Sequence, residues 1–389
     1  MQIFSNEPAF FSCPTRVHFG VGARARIPEI AAAQGWRRML AIVDPALVES
    51  RIFAEITAAL DGQGVALARF SEIEPEPKDT SVHAALDLAR SHAAEAILAL
   101  GGGSAIDVAK TVSIMMTNPG QIADFEGISR FSVLPMPMIA VPSTAGTGAE
   151  VSGACVITDT GRGVKMAIRH PVLGPAAHAV LDPLAVSTAP AHVAAHSGVD
   201  AFVHAFESYL SKQSNLMSDA VNLQAMRMIH DHIRPHVANR AHPVHALQMQ
   251  CGSALAALSF GQTGTGNVHC MAMAAGGRFA VPHGLANAVC LPHVARFNLL
   301  ADPARFAEVA RAMRLDVAGL SDLEAGRRAV EGIERLCRDL DIPSQLRAVG
   351  VSEESLPDLA QRAFDTDYNR WNPRYTTRAD YEALFRAAY

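Results

Sequence analysis

Long basic or apolar stretches are missing from this 389-residue sequence. No block of Lys and Arg exceeds a few residues and the formal net charge is −5, so nucleic acid and anionic membranes are poor partners. No uninterrupted apolar run approaches the ~18 to 20 residues that a membrane span needs. The start, MQIFSNEPAFF, carries Glu7 where a secretory signal has basic residues. We therefore expect a soluble, cytoplasmic protein.

Cysteine is also scarce, and its spacing excludes two kinds of site. The six cysteines are widely scattered and include no CxxC pair. This pattern favours neither a disulfide framework nor a zinc site made of thiolates. We expect free, buried thiols at Cys13, Cys155, Cys251, Cys270, Cys290 and Cys337.

The sequence changes character near its middle. The chain is too long for one ordinary core, because domains mostly run about 100 to 200 residues. Up to residue 186, short β-rich runs alternate with helix-like segments, as in a parallel sheet with crossover helices. Beyond that point strand signals almost vanish. We predict an α/β domain with a parallel sheet over residues 1–186 and an all-α domain over residues 187–389.

Several strands and helices of the first half can be placed individually. Amphipathic stretches predict helices at residues 81–94 and 105–116. The segment ACVITDTGRGVKMAI (154–168) has two β-rich runs around a TGRG turn, which predicts a hairpin. The remaining predicted strands are residues 38–44, 65–70, 94–100 and 136–143.

A glycine-rich turn follows one of these strands, in AEAILALGGGSAIDVAK. Three glycines at 101–103 allow backbone N–H groups to approach a phosphate, and the following helix adds the positive end of its dipole. Ser104 and Asp107 resemble a capping box, with Asp in place of Glu. A tight strand-to-helix turn without a ligand explains the motif equally well, because it matches neither GxGxxG nor the Walker pattern.

Two further features make a nucleotide site more probable. The segment VPSTAGTGAEVS (141–152) follows another buried strand and offers the hydroxyls of Ser143, Thr144 and Thr147. Asp44 ends the first strong strand, where a carboxylate could accept both adenosine ribose hydroxyls of NAD and repel a 2′-phosphate. By itself Asp44 favours a solvated turn before Pro45. Together the three features predict a dinucleotide site at the carboxyl ends of the strands.

The second half contains a candidate metal site. Asp200 and His204 stand four residues apart and so share one helix face. His269 and His283 flank a predicted bend, because VPHG places His283 just after a proline. One carboxylate and three imidazoles suit Fe²⁺ or Zn²⁺, and the pattern does not choose between them. With 16 histidines in the chain, a surface pair or a core histidine also explains Asp200 and His204.

Four motifs now stand in one order: GGGSAIDVAK, PSTAGTGAEVS, GVDAFVHAFESY and VHCMAMAAGGRFAVPHGLANAV. Together with CPTRVHFGVGA (13–23), LDPLAV, SKQSNLMSDAV (211–221) and NPR (372–374), they cover almost the whole chain. In this ordered set the sequence resembles the iron-containing, group III metal-dependent alcohol dehydrogenases. The resemblance implies a dehydroquinate synthase-like architecture, with a Rossmann-like N-terminal domain, a helical metal-binding domain and chemistry in the cleft between them.

The resemblance also implies an activity and its residues. The implied reaction is reversible hydride transfer between NAD and a primary alcohol, diol or hydroxy acid at Fe²⁺, in a homodimer or larger homo-oligomer. Zn²⁺ is the other metal considered, and NADP is disfavoured. The metal ligands, which are catalytic through the metal, correspond to Asp200, His204, His269 and His283. The cofactor residues correspond to Asp44, Gly102, Gly103, Ser104, Asp107, Ser143, Thr144, Thr147, Ser152, Val156, Lys165 and Leu184.

Two positions depart from the family pattern. Glu76 stands in PEP where the family usually has PNP, so it replaces an asparagine expected near the adenosine end. Met273 stands where many members carry a second histidine, four residues after the ligand that corresponds to His269. That histidine is associated with proton relay or with the shape of the substrate pocket, which makes Met273 a candidate pocket residue.

Other functions remain open within and outside this enzyme class. A relative such as glycerol dehydrogenase or maleylacetate reductase would share the superfamily, although glycerol dehydrogenase typically uses fewer protein ligands than the set of one Asp and three His. A metal- or NAD-binding protein without catalysis is the alternative from another class. A panel of alcohols and aldehydes assayed with metal-loaded protein distinguishes these cases.

Overall fold

The computed structural model describes residues 9–389 and divides them into two compact units. Glu7 lies outside the described residues. One unit comprises Ser12–Ala189 and Arg240–Gln250, and the other is built mainly from Pro190–Asn239 and Cys251–Tyr389. The first unit is α/β and the second helical, so the predicted fold class is confirmed. No pattern in the sequence indicated that Arg240–Gln250 belongs with the α/β unit.

The α/β unit is built on a six-stranded parallel sheet, in the order β1-β9-β6-β4-β2-β3. A smaller sheet has the order β5-β8-β7, in which β7 and β8 form the predicted hairpin. The strands are β1 Arg16–Phe19, β2 Arg38–Val43, β3 Ala66–Phe70, β4 Ala96–Gly101, β5 Gly127–Ile128, β6 Met138–Pro142, β7 Ala154–Asp159, β8 Val164–Arg169 and β9 His178–Leu181.

The helices are α1 Arg26–Gln34, α2 Arg51–Asp61, α3 Asp79–Ser91, α4 Gly103–Thr117, α5 Pro183–Val186, α6 Ala191–Leu210, α7 Leu216–Ala238, α8 Pro243–Thr263, α9 Asn267–Phe279, α10 His283–Asn298, α11 Pro303–Ala312, α12 Asp322–Asp339, α13 Leu356–Phe364 and α14 Arg378–Ala388. Among the described residues, none of these helices combines the length and apolarity needed to cross a bilayer.

The central strands form because their residues are apolar on both faces. Side chains alternate across a strand, so Leu40 and Ile42 of β2 join a core cluster with α3 and α4 on one face of the sheet. Met39, Ala41 and Val43 join a second cluster with α1 and α2 on the other. A parallel sheet covered by helices on both faces requires this continuous burial. All four predicted strands are found, with ends shifted by one or two residues.

Parallel strands place their carboxyl ends at one edge of the sheet. Asp44 follows β2, Gly102 follows β4 and Ser143 follows β6, so the three predicted cofactor features lie at the same edge. The edge strand β1, the short strand β5 and the four-residue β9 were not predicted. Each is too short for its alternation to stand out from the surrounding loops.

The cysteine prediction is right in most respects. All six are free. Cys155, Cys270, Cys290 and Cys337 are buried, but Cys13 is exposed and Cys251 is half-buried, which corrects the expectation of burial for those two.

Candidate metal centre and cofactor turns

Helix α6 supplies the first two residues of the candidate metal centre. Residues 198–210 of this helix are all buried, and most of them are apolar. Asp200 is 2% exposed and His204 is 5% exposed. Their spacing of four residues places them on one face, as predicted.

The other two residues flank a sharp change of direction. Helix α9 ends at Phe279, Ala280 is left-handed with φ 52°, and α10 begins at His283 directly after Pro282. The predicted bend is therefore confirmed. A Cβ atom at Gly284 would lie 2.7 Å from the backbone oxygen of His196, so the start of α10 packs directly against α6. This close approach brings His283 beside Asp200.

The four side chains converge. One ligand atom from each of Asp200, His204, His269 and His283 lies within 4.8 Å of the others. The ring centroids of His204 and His269 are 4.8 Å apart, and those of His269 and His283 are 5.4 Å apart. The side chain of His283 is 49% exposed, so the cluster is open on that side. The arrangement suits a divalent cation that keeps a position for a substrate oxygen.

Nearby groups keep the buried carboxylate ionised. Burial by itself would raise the pKa of Asp200, but the nearby His204, His283 and His269 and a hydrogen bond from Asn287 hold that pKa below its ordinary value. The Nδ2 atom of Asn287 lies 2.6 Å from Asp200 Oδ1 and 3.1 Å from His283 Nε2. Asp200 is therefore available as a ligand with one negative charge beside three imidazoles.

Two residues that support this cluster were missed in the sequence. Asn287 lies one helical turn after His283 on α10, and Glu207 lies about one turn after His204 on α6. Glu207 is 4% exposed and its Oε2 atom lies 2.6 Å from His269 Nδ1. Their spacing from the predicted ligands is the signal that could have found them. Met273 lies one turn after His269 on α9 and is 44% exposed, so it is accessible near the cluster.

The glycine turn of the α/β unit is shaped by close contacts. A Cβ atom at position 101 would lie 2.6 Å from Ala105 Cβ and 2.9 Å from Asp44 Cβ, so only glycine fits. A Cβ atom at position 103 would lie 3.2 Å from a methyl group of Thr147. Gly102 is the N-cap of α4, which has no side-chain cap, and amides in the first turn of a helix favour anions.

The predicted capping box of Ser104 and Asp107 is wrong. The Ser104 hydroxyl donates instead to the backbone oxygen of Pro75 at 2.6 Å, and Asp107 accepts from the backbone N–H of Val156 at 3.0 Å. Both side chains tie α4 to neighbouring segments, and α4 has no side-chain cap. Contacts between distant segments have replaced the local pair.

A buried charged group lies behind the turn. The Lys110 ammonium, which was not predicted, donates to the backbone oxygens of Ser152 at 2.6 Å and Ala154 at 2.8 Å. Burial lowers the pKa of Lys110 and raises the pKa of Asp107 to about 6, with the two charges partly offsetting these shifts. Burial also raises the pKa of Glu150 to about 7. Ser152 therefore contacts the buried Lys110, and Val156 contacts the half-buried Asp107.

Other predicted cofactor residues are placed as follows. The Ser143 N–H donates to the backbone oxygen of Gly101 at 2.9 Å, and a Cβ atom at Gly102 would meet Thr144 at 3.6 Å, so the two turns touch. Asp44 accepts from the N–H of Ala46 at 2.9 Å, which is the local turn expected for it alone.

The last two predicted cofactor residues lie elsewhere in the unit. Lys165 forms an ion pair with Glu76 at 2.7 Å. Glu76 is the residue that replaces the asparagine of the family pattern, so this replacement contacts a predicted cofactor residue. Leu184 follows β9 and packs against the cluster that contains Met39.

Known proteins resemble the chain over nearly its whole length. The model of the iron-containing alcohol dehydrogenases matches residues 14–183, and that of the C-terminal region of the Fe-containing alcohol dehydrogenase family matches residues 194–389. The chain is 36% identical over 373 residues to the 1,3-propanediol dehydrogenase of Klebsiella pneumoniae, which covers 95% of this chain and 96% of that protein.

Two further comparisons agree. The chain is 33% identical over 379 residues to the NAD-dependent methanol dehydrogenase of Bacillus methanolicus, with 97% of this chain and 99% of that protein covered. A crystal structure of 1,3-propanediol oxidoreductase matches with a TM-score of 0.96 and 35% identity, over 98% of this chain and 100% of that one. The chain belongs to the iron-containing alcohol dehydrogenase family.

Proposed function

We propose that the protein is an NAD-dependent, metal-containing alcohol dehydrogenase that interconverts a primary alcohol and its aldehyde by reversible hydride transfer. The observation that carries the proposal is the convergence of Asp200, His204, His269 and His283 within one helical unit of a chain of this family. When bound, Fe²⁺ acts as a Lewis acid toward the oxygen of the alcohol or aldehyde. NAD would accept the hydride when the alcohol is oxidised.

The four side chains would hold the ion, and neighbouring residues support the charge of Asp200 and the position of His269. Asp200 contributes one negative charge, which the bond from Asn287 supports. His269 is held by Glu207 on the side of the ring away from the cluster. The exposed face of His283 leaves access for a small substrate. Fe²⁺ is the proposed metal because of the family, and Zn²⁺ suits the same ligands.

The cofactor site is proposed at the carboxyl edge of the parallel sheet. The amides that begin α4 would receive the pyrophosphate, because an anion is favoured at a helix N-terminus. Gly102, Gly103, Ser104, Ser143, Thr144 and Thr147 would line this position. Asp44 would accept the ribose hydroxyls and repel a 2′-phosphate, which favours NAD over NADP. Asp107, Ser152, Val156, Lys165 and Leu184 would complete the site.

The substrate is proposed to be a short primary alcohol or diol. The names of the relatives, a 1,3-propanediol dehydrogenase and a methanol dehydrogenase, support this class. Met273 presents a flexible apolar side chain one turn from His269 and is proposed to line the pocket. Hydroxy acids and longer alcohols are the competing substrates, and a panel that includes all of them separates the classes.

Metal analysis followed by a cofactor and substrate survey tests the proposed function. Protein is purified with and without oxygen, its iron and zinc are quantified, and NADH or NADPH formation is followed over primary alcohols, diols and ω-hydroxy acids. We expect about one metal per chain after anaerobic loading and turnover that prefers NAD. Loaded protein that forms no reduced cofactor across the panel would instead identify a binding protein without catalysis.

The effect of Met273 can be measured with Met273→His. We expect the added imidazole to change the pH profile of kcat/KM and the preference among alcohols, because it places a titratable group one turn from His269. Met273→Leu is the matched control, since it keeps an apolar side chain of similar size. Identical profiles for wild type and both variants would exclude Met273 from the pocket.

We also propose that the chain forms a homodimer or larger homo-oligomer in the cytoplasm. Strand β1 lies at the edge of the sheet, its last residue Phe19 is 66% exposed, and Val21 just after it is 74% exposed. An exposed edge strand with apolar neighbours favours pairing with another chain. The free thiols support a reducing compartment. Light scattering coupled to gel filtration measures the oligomeric state, and a purely monomeric protein would contradict the proposal.

A further inference from the structure

Glu207 is a buried carboxylate with three donors around it. It lies on α6 between the ligand positions and the end of the helix, and only 4% of it is exposed. Its Oε2 atom accepts from the backbone N–H of Gly266 at 2.9 Å and lies 2.6 Å from His269 Nδ1. Its Oε1 atom accepts from the backbone N–H of Val268 at 2.6 Å. A buried carboxylate is tolerated only when its lone pairs are satisfied in this way.

These contacts define the tautomer of His269. Both carboxylate oxygens already accept backbone N–H groups, so Glu207 acts as an acceptor and the Nδ1 atom of His269 carries the ring proton. The lone pair of the neutral ring is therefore on Nε2. The Nε2 atom lies 3.4 Å from the Nδ2 donor of Asn287, on the side of the cluster. A metal requires this unprotonated nitrogen.

The same carboxylate fixes the position of the helix that carries His269. Gly266 is the N-cap of α9 and Val268 is in its first turn, so Glu207 binds amides that have no partner within the helix. A Cβ atom at Gly266 would lie 3.1 Å from Glu207 Oε1, so glycine allows this approach. Backbone and imidazole are thus held by one side chain, which itself stands on the helix of Asp200 and His204.

We propose that Glu207 is a positioning residue that sets the tautomer, ring orientation and location of His269 and thereby raises the affinity of the site for its divalent metal. The proposal rests on the proposed function of the four ligands. Carboxylate partners of metal-binding imidazoles generally act in this manner, and their loss typically weakens metal binding by about 10- to 100-fold. A purely structural role would change the stability of α9 and leave the affinity of the folded protein unaltered.

Glu207→Gln and Glu207→Asp separate these roles. The amide keeps the volume but has one acceptor fewer for the three donors, and the shorter carboxylate cannot reach all of them at once. Ser208→Ala is the matched control. Ser208 is the neighbouring residue of α6, is fully buried, and bonds to Ser259, Thr263 and Asn222, away from the cluster. The Ser208→Ala variant therefore loses buried hydrogen bonds of the same helix and leaves the contacts of His269 unchanged.

The measurement is the dissociation constant of Co²⁺ and of Zn²⁺ for each full-length protein, obtained by competition with a chelator, together with the visible spectrum of the Co²⁺ form. We expect a Kd about 10- to 100-fold higher for Glu207→Gln, a smaller rise for Glu207→Asp, and an altered Co²⁺ spectrum in both. Ser208→Ala should lose stability and keep the wild-type Kd and spectrum. Folded Glu207 variants with the wild-type Kd and spectrum would overturn the proposal.

A measurement on the wild-type chain keeps the proposal testable if both variants fail to fold. Long-range ¹H–¹⁵N NMR of the imidazoles reports which ring nitrogen of His269 is protonated, and the His269→Gln spectrum identifies the signal. The Nδ1–H tautomer is expected, and the Nε2–H tautomer would refute the role of Glu207. If wild-type protein binds neither Co²⁺ nor Zn²⁺ at the four ligands, the proposed function itself fails, which is a different result.

Discussion

The two candidate sites of this chain are constructed in different ways. The metal centre is assembled from side chains of three helices, and its carboxylate, Asp200, is kept ionised by imidazoles and an amide in spite of burial. The cofactor turns are assembled from backbone at strand ends, where a buried carboxylate, Glu150, has its pKa raised to about 7 by burial. The pKa of the buried Asp200 is thus lowered by its neighbours, whereas the pKa of the buried Glu150 is raised by burial, which favours its neutral form.

This contrast determines which substitutions matter. A site made of side chains should fail when one functional group is changed, even if the volume is kept. A site made of backbone should tolerate changes of exposed side chains and fail when a Cβ atom is introduced where two segments touch. The following predictions test that division, beginning with the largest effect.

Asp200→Asn should produce the largest loss. Asparagine keeps the volume and an acceptor for Asn287, but it removes the negative charge from the ligand set. Loss of a side chain that only hydrogen-bonds to a metal ligand lowers metal affinity by up to about 100-fold. We expect a larger fall for Asp200→Asn, with alcohol oxidation reduced to background. Metal content and NADH formation are the measurements. His192→Gln, on the same helix two turns before Asp200 and exposed, is the control and should behave as wild type. An active, metal-loaded Asp200→Asn protein would exclude Asp200 as a ligand.

Glu150→Gln should change the pH dependence of stability in the α/β unit. The folded-state pKa of Glu150 is raised from 4.5 to about 7 by burial, so the folded state binds the proton more tightly than the unfolded state. This favourable contribution is complete below about pH 4.5 and is lost as the pH rises to about 7. Because one pKa unit is worth about 1.4 kcal/mol, glutamine should raise the free energy of unfolding at pH 8 by up to about 3 kcal/mol, with little change at pH 4.5.

The two tryptophans allow this unfolding to be followed in one unit. Trp36 belongs to the α/β unit and Trp371 to the helical unit, so a Trp371→Phe background leaves Trp36 as the reporter in urea titrations. In this background, the free energies of unfolding of the protein that keeps Glu150 and of the Glu150→Gln variant are compared at pH 5 and pH 8. Parallel pH dependences in the two proteins would contradict the raised pKa.

Two neighbouring glycines distinguish packing from phosphate binding. Gly101→Ala would force a Cβ atom to within 2.6 Å of Ala105 Cβ, so we expect it to lower the free energy of unfolding by about 1–3 kcal/mol. At Gly102 the added Cβ atom would meet Thr144 at an ordinary 3.6 Å, and stability should hardly change. If the pyrophosphate lies on this turn, however, Gly102→Ala should weaken NAD binding, measured by NADH fluorescence titration. Undiminished binding by Gly102→Ala would move the phosphate elsewhere.

The sequence predicted most of the central fold, and it predicted the four side chains that converge in the candidate metal centre, for identifiable physical reasons. Strands β2, β4 and β6 are continuous apolar runs, and the spacing of Asp200 and His204 fixes a shared helix face. The spacing of Glu207 from His204 indicates that it lies on the helix face of the cluster, but its backbone donors, the amides of Gly266 and Val268, could not be predicted, because they lie 59 and 61 residues away in the chain. The predicted capping box at Ser104 was wrong for the same reason, because the Ser104 hydroxyl donates a hydrogen bond to the backbone oxygen of Pro75 in another loop.

The smallest effect is expected at the exposed pair of Glu76 and Lys165. Their side chains are 60% and 46% exposed, so the 2.7 Å contact contributes little to stability. The pair is nevertheless held near the glycine turn, because Pro75 accepts from Ser104 and Pro77 accepts from the N–H of Thr158 on the hairpin. If a dinucleotide binds at this turn as proposed, Glu76 would offset the positive charge of Lys165 beside it.

Glu76→Asn would leave that lysine without its partner and restore the asparagine expected from the family. We expect NADP to bind about two- to fivefold more tightly, with a smaller gain for NAD, because a 2′-phosphate brings additional negative charge and an exposed pair is worth less than about 1 kcal/mol. The gain should shrink as salt rises from 0.01 to 1 M, since the screening length falls from about 30 to 3 Å. Lys165→Gln should shift binding in the opposite direction. Equal Kd values for Glu76→Asn and wild type at low salt would show that the pair does not face the cofactor.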